Sequence, residues 1–127
     1  MANRYLYQFR GSFEAGIVTI YAKISFGASG APTLVSNECK GISSIVRNSA
    51  GNYTINLMDP YVRTLMAEQK FLDSSAPAAS SMYIVQDNVS SNPGANIVIQ
   101  LANGSVATDP ASGEVMLLRI DLKNSSV

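Results

Sequence analysis

The residues best suited to acid–base chemistry are the carboxylates Glu14, Glu38, Asp59, Glu68, Asp73, Asp87, Asp109, Glu114 and Asp121. Two of them facing each other across a cleft could serve as acid and base in glycoside hydrolysis. They are dispersed along the chain, and no pair is marked out by its spacing. Asp59 and Asp109 sit among turn residues, and Asp73 and Asp87 follow β-type runs. In such places Asp accepts hydrogen bonds from nearby backbone N–H groups, a structural role. No Asp-x-Asp-x-Asp run suggests a calcium loop. The chain has no His, so the commonest general base and metal ligand is missing. The single Cys39 excludes an intrachain disulfide and a cysteine zinc cluster. Without a His to activate it, Cys39 reads as a buried, inert thiol. There is no Gly-rich phosphate loop and no Gly-x-Ser-x-Gly elbow. These residues assign no catalytic, metal-binding or cofactor-binding role, and the chain is read as a non-enzyme.

With 127 residues and 46% hydrophobic content, one domain with a real core is expected. Only 14% of residues are charged, and Lys plus Arg balance Asp plus Glu at nine each. That balance argues against a nucleic-acid partner, which would call for a basic excess. The six Tyr and four Phe could in principle stack on a single strand, but they fall in separate runs of a neutral chain. Core and subunit contacts explain them better. Near-zero net charge favours self-association, and a surface poor in charge suits coverage by partners. The N-terminus lacks the apolar core of a signal peptide, and no run is long enough to span a bilayer. Cytoplasmic synthesis and no membrane partner are therefore expected, which makes the Asn-x-Ser/Thr sequons chance matches.

The elements that would position these residues are β-strands. The centre of the pattern is Gly41 to Tyr61, with β-type runs at Ile42–Arg47 and Tyr53–Leu57 around the turn-rich Asn48-Ser49-Ala50-Gly51-Asn52. Gly51 can take the positive φ that closes a hairpin. Tyr53, Ile55 and Leu57 alternate with Thr54 and Asn56, giving one dry face. Ile17–Phe26 is the clearest strand, with Val18, Ile20, Ala22, Ile24 and Phe26 on one side and Thr19, Tyr21, Lys23 and Ser25 on the other. Further strands are expected near Thr33–Val35, Met82–Asp87, Ala95–Ala102 and Val115–Leu122. In the last, Met116, Leu118, Ile120 and Leu122 alternate with Val115, Leu117, Arg119 and Asp121. Asp59-Pro60-Tyr61 carries a helix start signal, and Val62, Leu65, Met66 and Gln69 have helical spacing. A short helical turn is expected there, followed by a strand ending at Asp73. Ser74 to Ser81 reads as a surface loop. The whole is an all-β, antiparallel β-sandwich or jelly-roll-like fold with at most one short helix. Residues 1–13 form an N-terminal strand or arm, and residues 14–127 a single sandwich domain.

Residues 4–10 alternate Tyr5, Tyr7 and Phe9 with Leu6 and Gln8, flanked by Arg4 and Arg10. Aromatics and Arg are enriched where interfaces are anchored. Arg4, Tyr5, Tyr7, Phe9 and Arg10, with Tyr21, are the candidate partner-binding residues.

The phrases Gly41-Ile42-Ser43-Ser44-Ile45-Val46-Arg47, Ala50-Gly51-Asn52-Tyr53-Thr54-Ile55-Asn56-Leu57 and Asp59-Pro60-Tyr61 resemble small structural proteins of tailed bacteriophages. So does the stretch from Ala107-Thr108-Asp109-Pro110-Ala111-Ser112-Gly113-Glu114-Val115 to Asn124-Ser125. The Gly-x-Tyr-Thr-Ile step also looks like the trimeric jelly-roll modules of the complement type. The phage resemblance covers the chain from about Phe9 onward. It implies a head cement or decoration protein on the capsid exterior, made in the host cytoplasm and assembled as a trimer or dimer. Such a protein clamps neighbouring major capsid subunits, and the arm and loop tips such as Ser74–Ser81 would make the contacts. A tail, baseplate or fibre-tip module touching a host-surface glycan is the alternative.

Overall fold

A computed structural model describes residues 16–35, 39–72 and 77–124. The arm residues Arg4, Tyr5, Tyr7, Phe9 and Arg10, and part of the Ser74–Ser81 loop, lie outside the described residues.

Among the described residues nine strands follow one another: β1 (Ile17–Phe26), β2 (Pro32–Leu34), β3 (Ile42–Ser49), β4 (Asn52–Leu57), β5 (Arg63–Leu72), β6 (Ser81–Asn88), β7 (Asn96–Asn103), β8 (Val106–Ala107) and β9 (Val115–Lys123). They form two antiparallel sheets, ordered β2-β1-β9-β5 and β3-β4-β7-β6, with β8 added to β7. The only helical piece among the described residues is a 3-10 turn at Ala28–Gly30. The all-β sandwich is as expected from the strand pattern.

Alternation decides which side chains meet between the sheets. From β1 come Ile20, Ala22, Ile24 and Phe26, and from β9 Met116, Leu118, Ile120 and Leu122. Facing them are Tyr53, Ile55 and Leu57 of β4 and Ile97, Ile99 and Leu101 of β7. All are buried, in one continuous cluster. Phe26 and Tyr53 join the sheets edge to face, with centroids 5.5 Å apart. The central hairpin is tighter than its sequence suggests. β3 runs on to Ser49, and Ala50-Gly51 turns directly into β4, with Gly51 at φ +67°.

The helical turn expected after Asp59-Pro60 is absent. Residues 58–62 bend, and β5 begins at Arg63. Two hydrogen bonds fix the bend: the Tyr61 N–H to the Val89 carbonyl (2.7 Å) and the Val62 N–H to the Lys123 carbonyl (2.8 Å). Pairing with β9 overrides the local helix signal, because the central strand β9 has an edge that β1 leaves uncovered. A register shift between Thr64 and Met66 breaks the period-2 pattern of β5. Ala67 and Gln69 at the inward positions weaken it further.

Candidate functional site

Four of the described carboxylates, Asp87, Asp109, Glu114 and Asp121, accept structural hydrogen bonds. Asp109 is held by three N–H donors, with a tyrosine hydroxyl beside them. Arg47 grips it through Nε to Oδ1 (3.1 Å) and through its terminal nitrogen to Oδ2 (2.7 Å). The Gly51 N–H donates to Oδ1 at 2.8 Å and the Tyr53 hydroxyl lies 3.3 Å from the same oxygen. The Tyr53 hydroxyl also donates to the buried Gly30 carbonyl at 2.7 Å. This clamp ties the β3–β4 hairpin to the segment before β9 and to the 3-10 turn. The Arg47 bond holds the Asp109 carboxyl below the usual carboxylate range, with the Gly51 N–H helping and burial opposing. Burial pushes the Tyr53 phenol well above the ordinary tyrosine range, and the Asp109 charge adds to that. A carboxylate so fully donated to is a poor proton acceptor, and a phenol so raised is a poor acid.

Glu114 accepts the Ala111 N–H at 2.7 Å and the Ala78 N–H at 3.3 Å, closing the loops beside β9. Asp87 accepts the Val89 N–H at 3.3 Å, the turn role expected of it. Asp121 accepts the Thr19 hydroxyl at 2.7 Å. Cys39 is buried; its sulfur accepts the Lys23 N–H (3.3 Å) and donates to the Lys23 carbonyl (3.2 Å), pinning the strap ahead of β3 onto β1. Among the described residues, no group of three or more acidic or Cys side chains is placed to hold a metal ion.

What remains for function is the outward surface. On the β2-β1-β9-β5 sheet the register aligns Tyr21 with Arg119 and Glu68, and Lys23 with Leu117 and Lys70. These residues, with Lys40 from the strap, line a concavity of about 670 Å³. Its floor is apolar: Tyr21 is 64% exposed and Leu117 40%. Lys23, Lys40, Lys70 and Arg119 surround it, against the single carboxylate Glu68. Arg119 lies 3.3 Å from Glu68 and 3.6 Å from Asp121. Tyr21, a candidate from the sequence, therefore stands at the centre of this face. The lysines around it were not picked out, since Lys40 belongs to no strand and Lys70 lies in the segment read as partly helical.

The outward face of the β3-β4-β7-β6 sheet differs in kind. It carries Asn, Gln, Ser, Thr, Val and Tyr. No helix among the described residues is long and apolar enough to cross a membrane. Set against known protein families, curated proteins and solved structures, the chain finds no match in any of the three comparisons.

Proposed function

We propose that this chain is a non-enzymatic virion component of a tailed phage, a cement or decoration protein that clamps neighbouring major capsid subunits. The observation that supports it is the concave face around Tyr21 and Leu117. An exposed aromatic in an apolar floor, surrounded by charged side chains, has the composition of a protein interface with an anchor and a polar rim. Lys23, Lys40 and Lys70, beside an Arg119 that pairs with Glu68 and Asp121, fit a capsid surface whose acidic groups ring an apolar spot. The clamped, dry-cored sandwich keeps that face rigid, so little ordering cost opposes binding. The aromatic arm with Arg4, Tyr5, Tyr7, Phe9 and Arg10 adds a second contact, and assembly as a trimer or dimer multiplies both.

Two measurements test the proposal. Quantitative mass spectrometry of purified particles is expected to find the chain at a stoichiometry near that of the major capsid protein. A trace amount, as for a tail part, overturns it. Binding of Tyr21→Ala to particles stripped of the protein is expected to fall about 30-fold or more, the loss of an interface anchor. Wild-type affinity in Tyr21→Ala removes the concave face from the interface. Deleting residues 1–10 is expected to abolish attachment and leave the sandwich folded; attachment that survives removes the arm.

A further inference from the structure

We propose that the outward face of the β3-β4-β7-β6 sheet is a binding platform for an uncharged polysaccharide chain. The inference is independent of the virion reading, since it uses the opposite face of the sandwich.

Strand register sets out three rows of side chains across this face. The first is Ser44, Asn56, Asn96 and Asn88. The second is Val46, Thr54, Val98 and Gln86. The third is Ser49, Asn52, Gln100 and Tyr83. None of these positions is a Lys, Arg, Asp or Glu. The neutrality belongs to this side of the molecule, because the matching row of the other sheet reads Tyr21, Arg119, Glu68.

The amides are fixed by one another. Asn88 Nδ2 donates to Asn96 Oδ1 (3.3 Å), Asn56 Nδ2 to Ser44 Oγ (2.9 Å), and Asn52 Nδ2 to Gln100 Oε1 (3.1 Å). Asn48 Nδ2 donates to Asn52 Oδ1 (2.8 Å) and Thr54 Oγ1 (2.7 Å). Asn48 spends both amide hydrogens on Asn52 and Thr54, and the buried Gln100 spends both of its own on the Ala50 and Leu101 carbonyls, but Asn52, Asn56, Asn88 and Asn96 each have a second amide hydrogen and a spare oxygen lone pair. The face therefore offers oriented neutral donors and acceptors whose side-chain entropy is already lost. Sugar hydroxyls are neutral and both donate and accept. At the edges stand Tyr83, 58% exposed, and Val46, 48% exposed. A tyrosine ring offers a flat apolar surface with a polar tip, suited to the C–H face of a sugar ring.

Other occupants fit less well. Four strands about 4.8 Å apart and six residues at about 3.3 Å each make a patch of roughly 400 Å². A standard interface buries about 800 Å² on each partner, so a second copy gains too little here. A charged partner would lose hydration with no opposite charge to meet. Nucleic acid needs cations that this face lacks.

The test is affinity electrophoresis through native gels containing dextran, mannan or galactomannan, with polygalacturonate and heparin as anionic controls. At least one neutral polymer is expected to retard the protein, with no change at high salt. Tyr83→Ala is expected to weaken retardation about tenfold, and Val46→Lys to remove it. Both sites are exposed, and unchanged thermal midpoints confirm folding. In the wild type, titration with fragments of the retarding polymer is expected to shift the side-chain NH₂ resonances of Asn52, Asn56, Asn88 and Asn96. No retardation by any neutral polymer overturns the proposal. So does salt-sensitive retardation by the anionic polymers alone, which points to the lysine-rimmed face. A dimer that Val46→Lys dissolves also overturns it, in favour of a second copy.

Discussion

Replacing Asp109 with Ala lowers the thermal midpoint by about 10 °C, a loss of about 3 kcal/mol. The expectation follows from what the carboxylate joins. It accepts from Arg47 and from the Gly51 N–H, with the Tyr53 hydroxyl 3.3 Å away, and so ties the β3–β4 hairpin to the segment before β9. Removing it leaves the part-buried Gly51 N–H with no acceptor, which costs more than the loss of one hydrogen bond. Arg47→Ala is expected to cost much less than Asp109→Ala, because its guanidinium is exposed and the carboxylate keeps the Gly51 N–H. Acid separates the contributions further. The Asp109 carboxyl titrates below the usual range in the folded chain, so the unfolded chain takes up the proton first. Its contribution is complete above about pH 4 and fades as pH falls through the folded value. Urea midpoints of wild type and Asp109→Asn are therefore expected to converge between neutral pH and about pH 3. A gap that stays constant over that range would show that the carboxylate is not held by its charge.

How much of this could be read beforehand depends on what kind of information each feature needs. β1 and β9 were legible because each buries one face along its whole length, so the period-2 pattern is unbroken. β5 was legible only in its later part, as a strand ending near Asp73; its start was not, because its register shift and the inward Ala67 and Gln69 hide the alternation. The hairpin at Ala50-Gly51 was legible because Gly51 and its Asn neighbours name the turn. The clamp was not legible. Nothing local to Arg47 or Asp109 links them, and 62 positions separate the two. The same holds for the two outward faces. Tyr21 could be chosen from its exposed place in β1, but the row Tyr21–Arg119–Glu68 exists only once β9 lies between β1 and β5. Likewise the neutral face needs the pairing of β4 with β7, which joins Asn52 to Gln100. Strand identity is written locally; the company a side chain keeps is decided by pairing across the chain.

Gly51 is the position where the smallest change has the largest expected effect. Gly51→Ala is expected to cost about 4 kcal/mol, read as a drop in the urea midpoint at unchanged m-value. Part of this is backbone strain, since φ of +67° costs a residue with a Cβ about 1 kcal/mol or more. The larger part is steric. A Cβ there would overlap the Leu101 carbonyl oxygen and lie 2.7 Å from Gln100 Nε2 and 2.8 Å from the Thr108 carbonyl oxygen. Two of the three are backbone atoms that cannot swing away. The Leu101 carbonyl also accepts the Thr108 N–H at 3.1 Å, and the Leu101 N–H donates to the Gly51 carbonyl at 2.7 Å. Moving the turn outward would break that bond and pull the Gly51 N–H from Asp109. Gly104→Ala is the control: its φ is +65°, and nothing lies within 4 Å of a Cβ built there. It is expected to cost only the strain, about 1 kcal/mol. Equal losses in the two variants would mean that the β3–β4 turn is not wedged against β7. The difference also bears on the neutral face, because Gln100 Nε2 donates to the Ala50 carbonyl (3.1 Å) while its oxygen accepts from Asn52. A turn forced away from β7 takes the third row of that face with it. Gly51→Ala should therefore weaken retardation by a neutral polysaccharide under conditions where the protein is still folded, whereas Gly104→Ala should leave it unchanged.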